Sequence, residues 1–342
     1  MQRILVAGET IVDFLPETIG PLDEVETFSR RAGGAPANVA VALARLDETP
    51  SFWTRVGADP FGDVLVARLR EEGLTGPLVE QDTEAKTGLA FVSLDETAER
   101  GFSFYHDGAA ETRLRPGTVT DDDLAAVEWV HVDALSMDAQ PSRDAALDLA
   151  KRARDAGCTV SFDPNARPER WTEFDFADSV REGFGLADVV KATPEDLAEA
   201  GIGDLSGDAD GLAEADLGPE GELDRETASA LARRITEYGP HTALITLGGA
   251  GAVASATPDA PWVGGDDPVV VSHPGYDVEP VDTTGAGDAF TAGSIASLAD
   301  GTDLDATLAF ANAVAAEATT AAGAMTALPD REAVAAFRDE RA

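Results

Sequence analysis

Lysine is nearly missing from this sequence: Lys86, Lys151 and Lys191 are the only three in 342 residues. Arginine brings the basic total to 25, against 64 Asp and Glu, for a formal net charge of −39. Nucleic-acid phosphates are gripped by clustered basic residues, so this balance excludes a DNA- or RNA-binding protein. The one cysteine, Cys158, rules out a disulfide within the chain. In CTVSF it reads as a buried strand residue rather than a reactive thiol, because nothing nearby would lower its pKa. Four histidines and one cysteine leave little for a zinc site. No stretch approaches the roughly 18 apolar residues of a membrane-spanning helix. The start, MQRILVAGET, lacks the basic-then-apolar order of a secretory signal, so the expected location is cytoplasmic.

The excess of acid has two other readings, an acidic interaction surface and a disordered chain. At 44% hydrophobic, the chain has enough apolar content to bury a core, which argues against disorder. We read the acidity as adaptation to a cytoplasm of molar salt, where the Debye length shrinks to about 3 Å and self-repulsion becomes tolerable.

Short apolar runs alternate with helical patterns. RILVA (3–7), SFWTRVG (51–57), WVHVDAL (129–135), TVSFD (159–163), ADVVK (187–191) and ALITL (243–247) read as strands, and 36–46, 61–72, 142–156 and 226–237 as helices. This order predicts a parallel sheet, buried on both faces by helices, in one domain spanning 1–342. GLAFVSL (88–94) and GFSFYH (101–106) read as a hairpin outside that sheet. With parts of 11–30 it makes a small β lid, over about 11–30 and 88–110. Residues 203–226 carry nine acids and read as a solvated insertion without calcium-loop spacing.

Two segments carry chemistry. DTTGAGDAF (282–290) precedes a small-residue helix over roughly 286–299. Its glycines free the backbone to converge N–H groups on one point, and the helix start adds partial positive charge. The product is an anion hole with no side-chain cation. An ordinary glycine-rich helix start is the alternative, but Asp288 would be repulsive in an anion hole unless chemistry needs it there. A Walker phosphate loop is excluded, since no lysine follows a glycine, and the first strand runs into GETIVDF rather than a dinucleotide fingerprint. In AGGAPANVAVALARL (32–46), Gly33 and Gly34 permit close approach of a ligand, and Asn38 can donate and accept as sugar hydroxyls do. Helix capping is the alternative for Asn38.

These two segments, in this order and about 250 residues apart, resemble the signatures of the PfkB, or ribokinase-like, carbohydrate kinases. The set GETIVDFLPE, GGAPANVAVALARL and FDPNARPERW is most similar to the fructokinase subgroup. The resemblance implies a ribokinase-like three-layer α/β/α domain with a mostly parallel central sheet and a β lid. It implies transfer of the ATP γ-phosphate to a hydroxyl of a small sugar, most simply fructose. Alternatives are 2-keto-3-deoxygluconate kinase, another sugar kinase of the family, or a silent binding member.

Carried over by motif, Asp288 resembles the catalytic base, and Gly285, Ala286 and Gly287 the anion hole. A helix start should depress the pKa of Asp288. Asp13, Gly33, Gly34, Asn38, Tyr105, Asn165 and Arg167 resemble the sugar site. Lys191, Thr246, Gly248, Gly251 and Asn312 resemble the nucleotide site. Asp282 and Thr284 resemble a potassium site, and Asp196 stands where magnesium is handled. Without the resemblance, Asp13 is a strand-end residue, Arg167 a surface ion-pair partner and Asn312 a polar break in an apolar helix. Two departures stand out. KATPED puts Thr193 and Asp196 where many members have Asn-x-x-Glu, and His106 follows Tyr105 where fructokinases often carry arginine. A homodimer paired through the β lid is expected.

Overall fold

The computed structural model describes residues 2–94, 100–202 and 223–341. The strands are β1 (Ile4–Ala7), β2 (Ile11–Pro16), β3 (Phe28–Gly33), β4 (Ser51–Gly57), β5 (Val79–Asp82), β6 (Leu89–Leu94), β7 (Arg100–Tyr105), β8 (Trp129–Asp133), β9 (Thr159–Asp163), β10 (Val189–Ala192), β11 (Thr242–Thr246), β12 (Ala252–Ala256) and β13 (Val269–His273). The helices are α1 (Ala35–Arg45), α2 (Pro60–Glu71), α3 (Asp121–Ala125), α4 (Ser142–Asp155), α5 (Phe176–Leu186), α6 (Pro194–Glu199), α7 (Arg225–Thr236), α8 (Ala286–Ala299), α9 (Leu304–Ala318) and α10 (Arg331–Asp339).

Nine strands form one sheet in the order β13-β12-β11-β10-β9-β8-β1-β4-β5. Pairing is parallel from β5 through β11, and β12 is antiparallel to both neighbours. The strands read as continuous apolar runs because each face has its own core. Leu5, Ala7, Val130 and Val132 point into a core with α4, α5 and α7. Ile4, Val6 and Trp129 point into another with α1, α8 and α9. Period-two alternation along a strand thus divides one apolar run between two helix layers.

The helix that matters most is α8. It is apolar all round and buried from Ala289 to Leu298. Small residues let it sit that deep: a methyl group added at Gly293 would come within 3.0 Å of the Ala311 Cα on α9. Its N-terminus is thereby fixed against the sheet's carboxyl end, where open α/β sheets bind ligands.

A second sheet, ordered β3-β2-β6-β7, makes the lid. The two halves of the expected hairpin do pair, with Phe91 opposite Ser103 and Val92 opposite Phe102. That register separates Phe91 from Phe102 and Phe104, which fall on opposite faces. On one face Phe14, Phe28, Phe91 and Tyr105 form a connected aromatic row, with Phe61 of α2 edge-on to Phe14. On the other lie Asp13, Ala90, Phe102 and Phe104.

Most of the expected acidic insertion lies outside the described residues. Its stated end needs correction: Asp224 already caps α7, accepting from the Glu226 and Thr227 N–H groups, so residues 225–226 are helix. Strand β5 was not anticipated because VEQD, at the sheet edge, is mostly polar.

Candidate active site

Gly285 stands before α8 in the left-handed region (φ 81°), and a Cβ there would press within 3.1 Å of the Ala324 backbone. Both facts require glycine. No side chain caps the helix, so its first-turn N–H groups lack intrahelical acceptors. One expected member of the anion hole drops out: the Ala286 N–H is taken by the Thr283 carbonyl at 3.2 Å. The Gly287 and Asp288 amides remain.

The hole also has a cation, contrary to expectation. Lys191 at the end of β10 is buried, and a methyl group at Gly287 would lie 3.3 Å from its Nζ. Burial works against the ammonium, but Asp163 on β9 accepts from it at 3.1 Å and holds its pKa above the ordinary value. Burial raises Asp163 in turn to about 6, with Lys191 opposing. Asp163 ends a strand as Asp13 nearly begins one, and the sequence reading passed over it.

Asp288 Oδ2 accepts from Asn38 Nδ2 at 2.8 Å. Asn38 is therefore not a cap: Gly34 occupies that position of α1, and the carboxamide bridges to α8 instead. Its Oδ1 is buried with no hydrogen-bond partner, and so stands ready for a donor. The expected depression of Asp288 is overturned. Burial raises its pKa, and the Asn38 hydrogen bond and the Lys191 and Arg167 charges offset that only in part. Desolvation outweighs the helix start here, which makes Asp288 a better base than the sequence suggested.

Asp13 lies across the cleft on β2. Gly33 on β3 leaves it room, since a Cβ there would sit 1.9 Å from Asp13 Oδ2. Gly34 (φ 99°) passes so close to the Glu9 carbonyl that a Cβ would fall 2.8 Å from it. Burial, then the charges of Glu9 and Asp288, raise Asp13 to about 7, while Arg167 pulls the other way. Arg167 acts on both carboxylates, and its guanidinium lies 5.7 Å from the Phe102 ring centre. Asn165 is buried, at φ 42°, with its N–H donated to Asp163. A cleft of about 210 Å³ opens from Asp13 past Phe102 to Thr284 and the 323–326 segment.

Other expected residues stand as follows. Tyr105 needs correction as a sugar contact within this chain. Opposite Leu89 in the lid register, it turns to the face away from Asp13, 66% exposed and 5.4 Å from Phe91. Asp196 is occupied in the capping box that Thr193 opens on α6, accepting from the Thr193 and Ala166 N–H groups, one on each oxygen. That argues against direct metal ligation, and among the described residues no group of three or more His, Cys, Asp or Glu is arranged to hold a metal. Asp282 accepts from the Thr284 N–H and hydroxyl and from the Gly323 N–H, closing a loop beside the anion hole. Of the residues expected to line the nucleotide, Thr246 ends β11 and Gly248 (φ 55°) opens an exposed turn. Gly251 is forced by backbone packing, as a Cβ there would strike the His273 carbonyl at 2.0 Å. Asn312 is buried in α9 and donates to the Leu308 carbonyl of its own helix.

One group was missed outright. Buried Arg170 bridges Glu9 and Asp138, and Glu111 and Asp133 are buried nearby. Burial and the Glu9 charge push Glu111 to about 8, and the same two causes hold Asp133 well above the carboxylate range. Glu9 and Arg170 stand in GETIVDFLPE and FDPNARPERW, but nothing local marks these five residues as one cluster.

Open amides beside a buried ammonium, a desolvated carboxylate and a second carboxylate on the lid suit a phosphotransferase acting on an alcohol. The comparisons agree. The model of the pfkB family of carbohydrate kinases matches residues 1–331, and the chain belongs to that family. A fructokinase of Klebsiella pneumoniae is 37% identical over 341 residues, covering 96% of this chain and 97% of that protein. The solved fructokinase of Xylella fastidiosa with bound ATP superposes with a TM-score of 0.81 at 31% identity, covering 99% of each chain. A fructokinase double mutant of Vibrio cholerae, solved with fructose, ADP and potassium, superposes with 0.78 at 32% identity and 98% coverage of each. The fold is thus ribokinase-like, and the chain is a sugar phosphotransferase.

Proposed function

We propose that this chain is an ATP-dependent fructokinase. The observation that carries the reading is Asp288, a desolvated carboxylate held by Asn38 beside open amides and Lys191. The sugar hydroxyl attacks the γ-phosphorus, the bond to the ADP oxygen breaks, and the hydroxyl proton passes to Asp288. Charge on the equatorial phosphoryl oxygens is met by the Gly287 and Asp288 N–H groups and the Lys191 ammonium. Asp13, Gly33, Gly34, Asn38, Asn165 and Arg167 hold the sugar; Thr246, Gly248 and Gly251 lie along the nucleotide. Magnesium carried on the nucleotide phosphates would neutralise their charge, and the Asp282–Thr284 loop would hold potassium.

A sugar acid such as 2-keto-3-deoxygluconate is the second reading. Arg167 favours it, a half-buried guanidinium with no ion pair among the described residues, close enough to act on Asp13 and Asp288. The acidic surface fits a salt-accumulating cytoplasm, and the aromatic lid face with exposed Tyr105 fits a homodimer, which sedimentation of the wild type and Tyr105→Glu would test. The deciding experiment measures ADP release with fructose, 2-keto-3-deoxygluconate, ribose and glucose, with magnesium, in molar potassium chloride and in molar sodium chloride. Highest kcat/KM with fructose is expected; no turnover with any sugar would end the kinase reading.

A further inference from the structure

We propose that Arg170 is a positioning residue for sugar phosphorylation: clamped by Glu9 and Asp138, it seats Phe104 on the lid's inner face and offsets the Glu9 charge at Asp13. The inference rests on the kinase reading above.

Arg170 is 2% exposed, and every side of its guanidinium is engaged. Nε donates to Asp138 Oδ2 at 2.6 Å, Nη1 to Glu9 Oε2 at 2.5 Å, and Nη2 to the Leu135 carbonyl at 3.4 Å. The planar fork is thereby fixed, and it lies 5.3 Å from the Phe104 ring centre. One turn earlier in the same loop, Arg167 lies under Phe102. Two successive inward rings of β7 thus rest on two arginines of one segment, a cation–π seat for the lid. Phe104 pairs with Ala90, and Ala90 with Asp13, so the row leads across the lid to the sugar-facing carboxylate.

The second role is electrostatic. The charged groups acting on Asp13 are Glu9 behind it, Asp288 across the cleft and Arg167 beside it; Arg31 is its partner on β3. Glu9 is the strongest of these charges, and Arg170 is the cation bonded to it. Without Arg170, Glu9 loses its bonded cation and its charge acts more strongly on Asp13, which then stays protonated to higher pH and accepts sugar hydroxyls less well.

The test is steady-state kinetics of Arg170→Met and Arg170→Lys with the best sugar, from pH 5.5 to 9. In Arg170→Met the sugar KM at pH 7 rises about tenfold or more, as for a lost positioning contact, while kcat and the ATP KM stay within about threefold. The pH at which the sugar KM improves moves upward. Lysine restores the charge but not the fork, and recovers the pH midpoint more than the KM. Adding Glu9→Gln to Arg170→Met returns the midpoint while leaving KM high. If Arg170→Met does not fold, Glu9→Gln/Asp138→Asn/Arg170→Met, with no buried charge left unpaired, shows the raised KM instead. Unchanged sugar KM and midpoint in the folded variant would overturn the inference, as would equal losses in kcat and in both KM values. A wild type that phosphorylates no sugar sinks the kinase reading and this inference together; an active wild type with an unaltered Arg170→Met sinks the inference alone.

Discussion

Two carboxylates face the candidate site from its core end and its lid end, but their surroundings are built from different material. Asp288 sits on a helix buried on every side, among main-chain amides and one fixed ammonium. Asp13 sits on a lid strand among side-chain charges, and it titrates near neutrality. The core end suits a group that must be placed without error during bond breaking, and the lid end suits one that closes on a substrate and lets it go. The harshest test of this division is Asp288→Asn. It is isosteric and retains a partner for Asn38, so far-ultraviolet dichroism and Tm should hold. Removing the proposed general base should lower kcat by about 10³-fold. Turnover near the wild-type value would erase the distinction between the two ends.

A milder test at the same end is Lys191→Met. Losing one preorganised charge at the transferring group should lower kcat by about 10²-fold with little change in sugar KM. At the lid end the pattern should invert. Asp13→Asn should raise the sugar KM by about tenfold, the scale of charged hydrogen bonds, with kcat reduced less. In the wild type the sugar KM should worsen as pH falls through about 7, where Asp13 takes up its proton. The sign for stability follows from the same shift. The folded state holds this proton more tightly than the unfolded one, so the ionised carboxylate costs stability fully above pH 7, and the cost fades toward pH 4. Asp13→Asn should therefore raise Tm at pH 8 more than at pH 5, measured by calorimetry. A flat KM profile would show that Asp13 does not grip the sugar in its ionised form.

The same contrast explains what could be read in advance. The strands 51–57 and 159–163 and the helix 286–299 were legible to the residue, because apolar runs and glycine placement are local. The pairing of the two distant glycine segments came from the resemblance rather than from local pattern, and Asn38 does bond Asp288. What escaped was decided between elements. The resemblance put Lys191 in the nucleotide site, but only the folded chain brings its ammonium close to Gly287 and Asp163. The helix start predicted a depressed Asp288, but desolvation, a property of the whole site, reversed the direction. Tyr105 and Phe104 point opposite ways as neighbours on any strand do, and the register decides which of them shares the Asp13 face. Arg170, Glu9 and Asp138 lie far apart in sequence and meet only in the buried core.

The smallest expected effect comes from making one substitution at both ends. At Gly33 an added methyl group would overlap the tip of Asp13, a side chain that can swing away. Gly33→Ala should therefore leave Tm and kcat near wild type and raise the sugar KM a few-fold, because only the carboxylate moves. At Gly285 the methyl group meets the Ala324 backbone, and φ 81° is itself costly for alanine. Neither obstacle can yield alone, so Gly285→Ala should cost about 1–3 kcal/mol in stability and lower kcat together with it. Chemical denaturation and steady-state kinetics on the two variants separate these outcomes. If Gly33→Ala destabilised the fold as much as Gly285→Ala, the lid strand would be as rigid as the helix start. Asp13 would then belong to the fixed machinery rather than to a closing grip.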